Sequence, residues 1–277
     1  RDRLRSRGLG DVYKRQTNTT GGTAAQVVAT KTLAGRPMAD GEFYFGIAYA
    51  GEKEAIEGTC TTNVNGQVSF GFLHYTTEML ADLVNAKRAI RTDTDAKLAW
   101  TIGCTAFEFT PQLAAKGITA ATPSFSFKVI VVDNGDGTLT AKPVYDGIKP
   151  EFKNVYGTDA VDAALAGTKK LQAAEGLTPA DITGKFTFTV TGEEGAPMPA
   201  STSVHNDAKG KVDFGKITFT LDDLNKALGE KPEKREHTFT YTVTESGEVA
   251  GVTNDAKLSR EVSFTVTDDG KGNLSVS

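Results

Sequence analysis

Along most of the chain apolar and polar residues alternate with a period of two. Phe43 and Phe45 show it first, then Val68 and Phe70, then Phe125, Phe127, Ile130 and Val132 with a slip of one residue. Further on, Phe186, Phe188 and Val190 alternate, as do Phe239, Tyr241 and Val243, and then Val262, Phe264 and Val266. Successive side chains of a strand point to opposite faces, so each run predicts a strand with one face buried. The runs are short, rich in Thr, Val and Phe, and separated by Asn-Gly and Asp-Gly pairs of the hairpin type. Together they predict an all-β fold of the sandwich kind. Two stretches depart from the alternation, "TTEMLADLV" from Thr76 and "TLDDLNKAL" from Thr220. Each has a threonine in N-cap position and acids in the first turn, which predicts one short helix apiece.

The same landmarks occur twice, in the same order. "TKTLAG" from Thr30 returns as "TKKLQA" from Thr168, 138 residues on, and "GEFYFGI" from Gly41 as "GKFTFTV" from Gly184, 143 on. "NGQVSFGF" from Asn65 returns as "KGKVDFGK" from Lys209 at 144, and "VDNGDGTLTA" from Val132 as "TDDGKGNLSV" from Thr267 at 135. Kept order and spacing are the signature of a tandem duplication. We divide the chain into one module over residues 24–160 and a second over 161–277. "FKNVY", Phe152 to Tyr156, occurs once; its counterpart would fall near position 289, past Ser277, so the second module is expected to lack its final strand.

Composition narrows the function classes. Of 277 residues 39% are hydrophobic and 24% charged, and no apolar run approaches a membrane span of roughly 18 residues. The net charge of −4 hides an asymmetry. Residues 1–16 hold six cations against two acids, +4, which leaves −8 for the rest. This basic leader has no apolar h-region of a signal peptide, and we set it aside as non-native sequence. The acidic remainder argues against a nucleic-acid partner, which needs clustered Lys and Arg. Cys60 and Cys104 are too few for a disulfide scaffold and too distant for a zinc knuckle; they form one disulfide or stand as two buried thiols. His74, His205 and His237 are scattered and do not repeat, so neither a metal site nor a histidine triad is expected. In "DNGDGT" from Asp133, glycines fall where a calcium loop needs ligands, and a hairpin is the better account. No cofactor motif is present.

Three kinds of polar side chain stand where apolar ones belong. Lys31 and Lys169 share a face with Leu33 and Leu171 by the period of two, Glu245 shares one with Tyr241 and Val243, and Asn154 lies between Phe152 and Tyr156. Lysine is almost never fully buried without a partner. In a water-poor pocket desolvation lowers a lysine's pKa and raises a carboxylic acid's. The amine is then a nucleophile, the acid can polarise a carboxamide and relay protons, and folding supplies proximity. The product is an amide joining first strand to last.

At these residues the sequence resembles the isopeptide-linkage pilin domains of Gram-positive surface proteins, relatives of the B-type domains of collagen adhesins. The resemblance rests on "TKxL" followed by "GxFxF", on "YTVTE" at Tyr241 to Glu245, on "VxDxGxGxL" and on "FKNVY", and it covers residues 24 to 277. It implies two tandem Ig-like β-sandwich modules, a Lys31–Asn154 bond with a glutamate as catalyst, and Lys169 with Glu245 as two thirds of a second site. In the first module "TIGCTAFE" departs from the pattern, and spacing favours Glu108 over Cys104 as the catalytic residue: Lys31 to Glu108 spans 77 and Lys169 to Glu245 spans 76. Were Cys104 the counterpart, the first site would be inactive or replaced by a disulfide to Cys60. Lys170 competes with Lys169 but lies on the opposite face from Leu171.

The resemblance implies a structural protein of the cell surface, a pilus subunit or adhesin stalk attached to the cell wall, with neighbouring modules or pilin subunits as partners and no substrate turnover. The alternative is an adhesin whose loops, at residues 76–97 or 110–123, bind a host protein or glycan. A carboxylate glycosidase is disfavoured because Glu108 and Glu245 are repeat equivalents in separate modules.

Overall fold

The structure is a computed structural model that describes residues 21–93, 97–230 and 232–277; the basic leader lies outside them. The described chain forms two compact units. One holds the residues up to Leu33 with Met38–Pro111 and Ala120–Asn154, and the other holds Ala34–Pro37, Gln112–Thr119 and Val155–Ser277.

In the first, hydrogen-bonded neighbours run from Leu139–Val144 through Ser124–Asp133 and Ala99–Glu108 to Tyr44–Tyr49. Thr61–Val64 pairs with Tyr44–Tyr49 on one side and with Gln67–Ser69 on the other, so it carries the sheet round a corner. Beyond it follow Val28–Ala34, Glu151–Tyr156 and Ile118–Thr122. The two halves close on each other as a sandwich: the Phe152 ring lies 4.7 Å from that of Phe45 and 5.2 Å from that of Phe125. Burying each such ring contributes about 1.5–3 kcal/mol. Strand-edge alternation holds as expected, with one correction. The Ser124–Asp133 strand has no slip: Phe125, Phe127, Val129 and Val131 are all buried, whereas Ile130 and Val132 point the other way. Its pairing with Ala99–Glu108 runs without a bulge from Ser124 opposite Phe107 to Val132 opposite Ala99, and an unbroken ladder cannot change face.

The second unit pairs Val161–Thr168 with Lys211–Phe219 and stacks Ser203–His205, Thr187–Gly192, Glu236–Ser246, Ser259–Asp268 and Leu274–Val276 in a second sheet. Its core is Phe186, Phe188, Val190, Phe214, Phe219, Phe239 and Tyr241 with their neighbours. Both short helices form where the sequence places them. Thr76 caps Thr77–Asn85 by accepting from the Met79 N–H, and Thr220 caps Leu221–Leu228 in a full capping box with Asp223. No helix among the described residues is long and apolar enough to cross a membrane.

Candidate functional site

Lys31 lies mid-strand in Val28–Ala34, between Ala29 and Leu33 on the inward face. The neighbouring strand, Glu151–Tyr156, directs Asn154 inward together with Phe152 and Tyr156. From the opposing half, Ala99–Glu108 presents Ile102, Cys104, Ala106 and finally Glu108 to the core. Lys31, Glu108 and Asn154 are 2%, 5% and 2% exposed. Glu108 Oε1 accepts from Lys31 Nζ at 2.8 Å and from Asn154 Nδ2 at 2.8 Å, so amine and carboxamide are held within twice that distance of each other. Glu108 Oε2 and Asn154 Oδ1 are buried with no partner among the described residues. An unsatisfied buried polar group costs about 1–3 kcal/mol, so two in one site call for an explanation.

Strand register relates the two glutamates. Phe45 and Phe188 stand 143 residues apart in the repeat. Phe45 pairs with Glu108 and Phe188 with Glu245, which makes the two glutamates equivalent. Cys104 pairs with Tyr49 and Phe127, four residues from the amine's partner along the same strand. Both cysteines are free: Cys104 is buried and Cys60 exposed, so the disulfide considered from sequence does not form. Burial pushes the Cys104 thiol up to about 12, which keeps it protonated and unreactive at neutral pH.

Burial holds the Lys31 amine below the usual lysine range, against the opposing pull of the Glu108 hydrogen bond and charge and of Glu42. Its Nζ sits 4.3 Å from the centroid of the Phe43 ring and 5.7 Å from that of Phe45. The rings exclude water from the amine while their faces tolerate its charge.

Set beside known families, residues 27–157 match the one described as FctA, Spy0128-like isopeptide containing domain, and residues 165–277 match it again. The chain belongs to this family. Comparison with curated proteins and with solved structures finds no match. Membership of FctA points to a pilin-type structural protein, one of a family that is structural rather than catalytic and is displayed on the surface of Gram-positive bacteria.

In the second FctA match the site has a different shape. Lys169 lies one residue beyond the end of Val161–Thr168 rather than within the strand. Its backbone is nonetheless held as in the first copy: Lys169 N–H donates to Gly210 O, as Lys31 N–H does to Gly66 O. Lys169 Nζ donates to Glu245 Oε1 at 2.5 Å and lies 4.3 Å from the Phe186 ring centroid, while Lys170 is exposed. The side chains of Lys169 and Glu245 remain 11% and 14% exposed. They line a cavity of about 590 Å³ with Phe188 and Phe214. In the first copy the equivalents, Phe45 and Phe70, pack against Phe152. Among the described residues Val161–Thr168 pairs with Lys211–Phe219 alone. Asn254 also lines the cavity, but its Nδ2 donates to Gly247 O rather than to Glu245.

Other sequence candidates resolve simply. Asp133 and Asp136 accept N–H groups of their own loop, at Gly135 and Thr138, as turn residues do. Among the described residues no group of three or more His, Cys, Asp or Glu could hold a metal ion. Sequence reasoning missed Phe43 and Phe186 as the wall over the amine; their shared spacing of 143 was the available signal.

Proposed function

We propose that the chain is a pilus subunit or adhesin stalk, attached to the cell wall and linked to neighbouring pilin subunits, whose first module locks itself with a Lys31–Asn154 isopeptide bond. The observation that carries this reading is the single carboxylate oxygen shared by a buried amine and a buried carboxamide. The chemistry begins with proton transfer from the Lys31 ammonium to Glu108, which leaves both groups uncharged in a site where charge is costly. A half-turn of the Asn154 carboxamide exchanges its oxygen and nitrogen, and protonated Glu108 then donates to Oδ1. That rotation gives a use to the oxygens left without partners. Lys31 Nζ adds to Cγ, the carbonyl electron pair moves to Oδ1, and Glu108 stabilises the developing charge. Collapse of the intermediate breaks the Cγ–Nδ2 bond; Nδ2 takes one proton from Nζ and the one Glu108 has held, leaves as ammonium, and Glu108 returns to the carboxylate. No substrate is turned over.

Intact-mass measurement of the purified chain tests this. A deficit of roughly 17 Da, one ammonia, is expected, and Lys31→Ala, Asn154→Ala or Glu108→Ala restores the full mass. A wild-type chain at its unmodified mass refutes the bond.

A further inference from the structure

One buried carboxamide is repeated in both units, although neither is at the bond. Asn63 and Asn206 stand 143 residues apart, as do Phe43 and Phe186 and the loop residues Ala39 and Ile182. Asn63 Oδ1 accepts the Phe43 N–H at 2.8 Å, its Nδ2 donates to Ala39 O at 2.7 Å, and its backbone oxygen accepts the Gly41 N–H at 2.7 Å. Asn206 repeats all three: Phe186 N–H at 3.1 Å, Ile182 O at 2.9 Å and Gly184 N–H at 2.9 Å. Gly41 and Gly184 both take left-handed backbone, φ 73° and 66°, the conformation that turns the loop back onto the asparagine. The two asparagines are 0% and 2% exposed.

The clamped loop ends on the ring that covers the amine. Nζ of Lys31 and Nζ of Lys169 lie at the same 4.3 Å from Phe43 and Phe186, although one site is closed by Asn154 and the other opens on a cavity. What the two sites share is therefore the lysine, the glutamate, the ring and the asparagine that fixes the ring. We infer that Asn63 and Asn206 are positioning residues for the nucleophilic amine, clamping the preceding loop so that the phenyl ring shields Nζ from water and holds it on the glutamate. The inference deepens the Lys31–Asn154 reading and rests on it.

The test uses the full chain, recovered unreacted in urea, refolded by dilution over a range of pH and quenched in acid for intact mass. Glu108 and Glu42 are the charged groups facing Lys31, and neither is altered. Asn63→Ala is expected to slow ammonia loss about 10- to 100-fold, as small misplacements of reacting groups do, and to move the pH–rate profile to higher pH because water reaches the amine. Phe43→Leu, which keeps the clamp and removes the ring, should shift the profile in the same direction and covers the case in which Asn63→Ala does not fold. Val131→Ala, a core truncation on another strand, should lower thermal stability and leave the profile in place. If wild type loses ammonia and either Asn63→Ala or Phe43→Leu reacts with its rate and profile, the inference is overturned while the bond stands. A Val131→Ala profile that moves as far as theirs overturns it too. A wild-type chain that loses no ammonia overturns both.

Discussion

The Asn154→Ala substitution removes the electrophile but keeps the Lys31–Glu108 pair, and so isolates what the bond contributes. A Lys31–Asn154 bond would close a loop of 123 residues (154 − 31). By the loop-entropy relation for cross-links, its loss should cost about 5 kcal/mol. Truncation also removes one hydrogen bond, worth about 1 kcal/mol, so the cross-link dominates. At roughly 3–5 °C per kcal/mol for a module of this size, the first unfolding transition should fall by roughly 15–25 °C. Mechanics gives a sharper readout, because a covalent tie between first and last strand takes the intervening chain out of the load path. A fully extended chain spans about 3.3–3.6 Å per residue, so the 123 residues would release roughly 400–440 Å if free. Pulled from its ends in a single-molecule force experiment, the wild-type chain should lack that step and Asn154→Ala should show it. A wild-type record containing the full step, or equal transition temperatures for the two proteins, would refute the reasoning.

Three further outcomes follow from the same geometry. The whole chain should lose one ammonia rather than two: the deficit of roughly 17 Da should survive Lys169→Ala and Asn254→Ala, since the carboxamide beside Lys169 is committed to Gly247. Under native conditions a thiol reagent should label Cys60 alone, with Cys104 reacting only after denaturation; labelling of both in the folded protein would contradict the burial of Cys104. In the unbonded Asn154→Ala chain, Lys31 should keep the burial that lowers its folded pKa below the unfolded value of about 10.5. The unfolded state then binds more protons across that window, so stability should rise as pH climbs from the lowered value towards 10.5. Adding Lys31→Met should abolish the rise, as denaturant titration over pH would show.

How far the sequence reaches can be judged residue by residue. Alternation placed the inward faces of the strands bearing Lys31, Asn154 and Glu245, because a period of two leaves one face for the core. It failed at Ile130 and Val132: the run "KVIVVD" is apolar on both faces, and only pairing with Ala99–Glu108 shows which one is buried. Spacing favoured Glu108 over Cys104 as the counterpart of Glu245, and the registers of Phe45 with Glu108 and Phe188 with Glu245 give that equivalence a cross-strand basis that no linear count contains. Lys169 was legible as the equivalent of Lys31 but not as a residue past its strand's end. The Asn63 clamp was invisible for a different reason. Its bonds are to backbone atoms of a loop some twenty residues earlier, and a carboxamide bonded to backbone leaves no pattern except its recurrence.

The two sites, set side by side, separate what makes the amine available from what makes it reactive. Both hold a lysine on a glutamate under a phenyl ring, yet the Lys31 side chain is fully enclosed while that of Lys169 keeps 11% of its surface in solvent. The difference lies where Phe152 fills the first site and a cavity occupies the second. The strand that brings Asn154 to the amine also carries Phe152, which packs on Phe45, a ring 5.7 Å from Lys31 Nζ. On the proposed chemistry, desolvation and delivery of the electrophile would arrive together with that strand. An ammonium left in water and paired with its glutamate would be a poor nucleophile towards any amide it met. Coupling the two steps confines the chemistry to the correctly folded module, so a bond between Lys31 and Asn154 would record that the last strand had found its place beside the first.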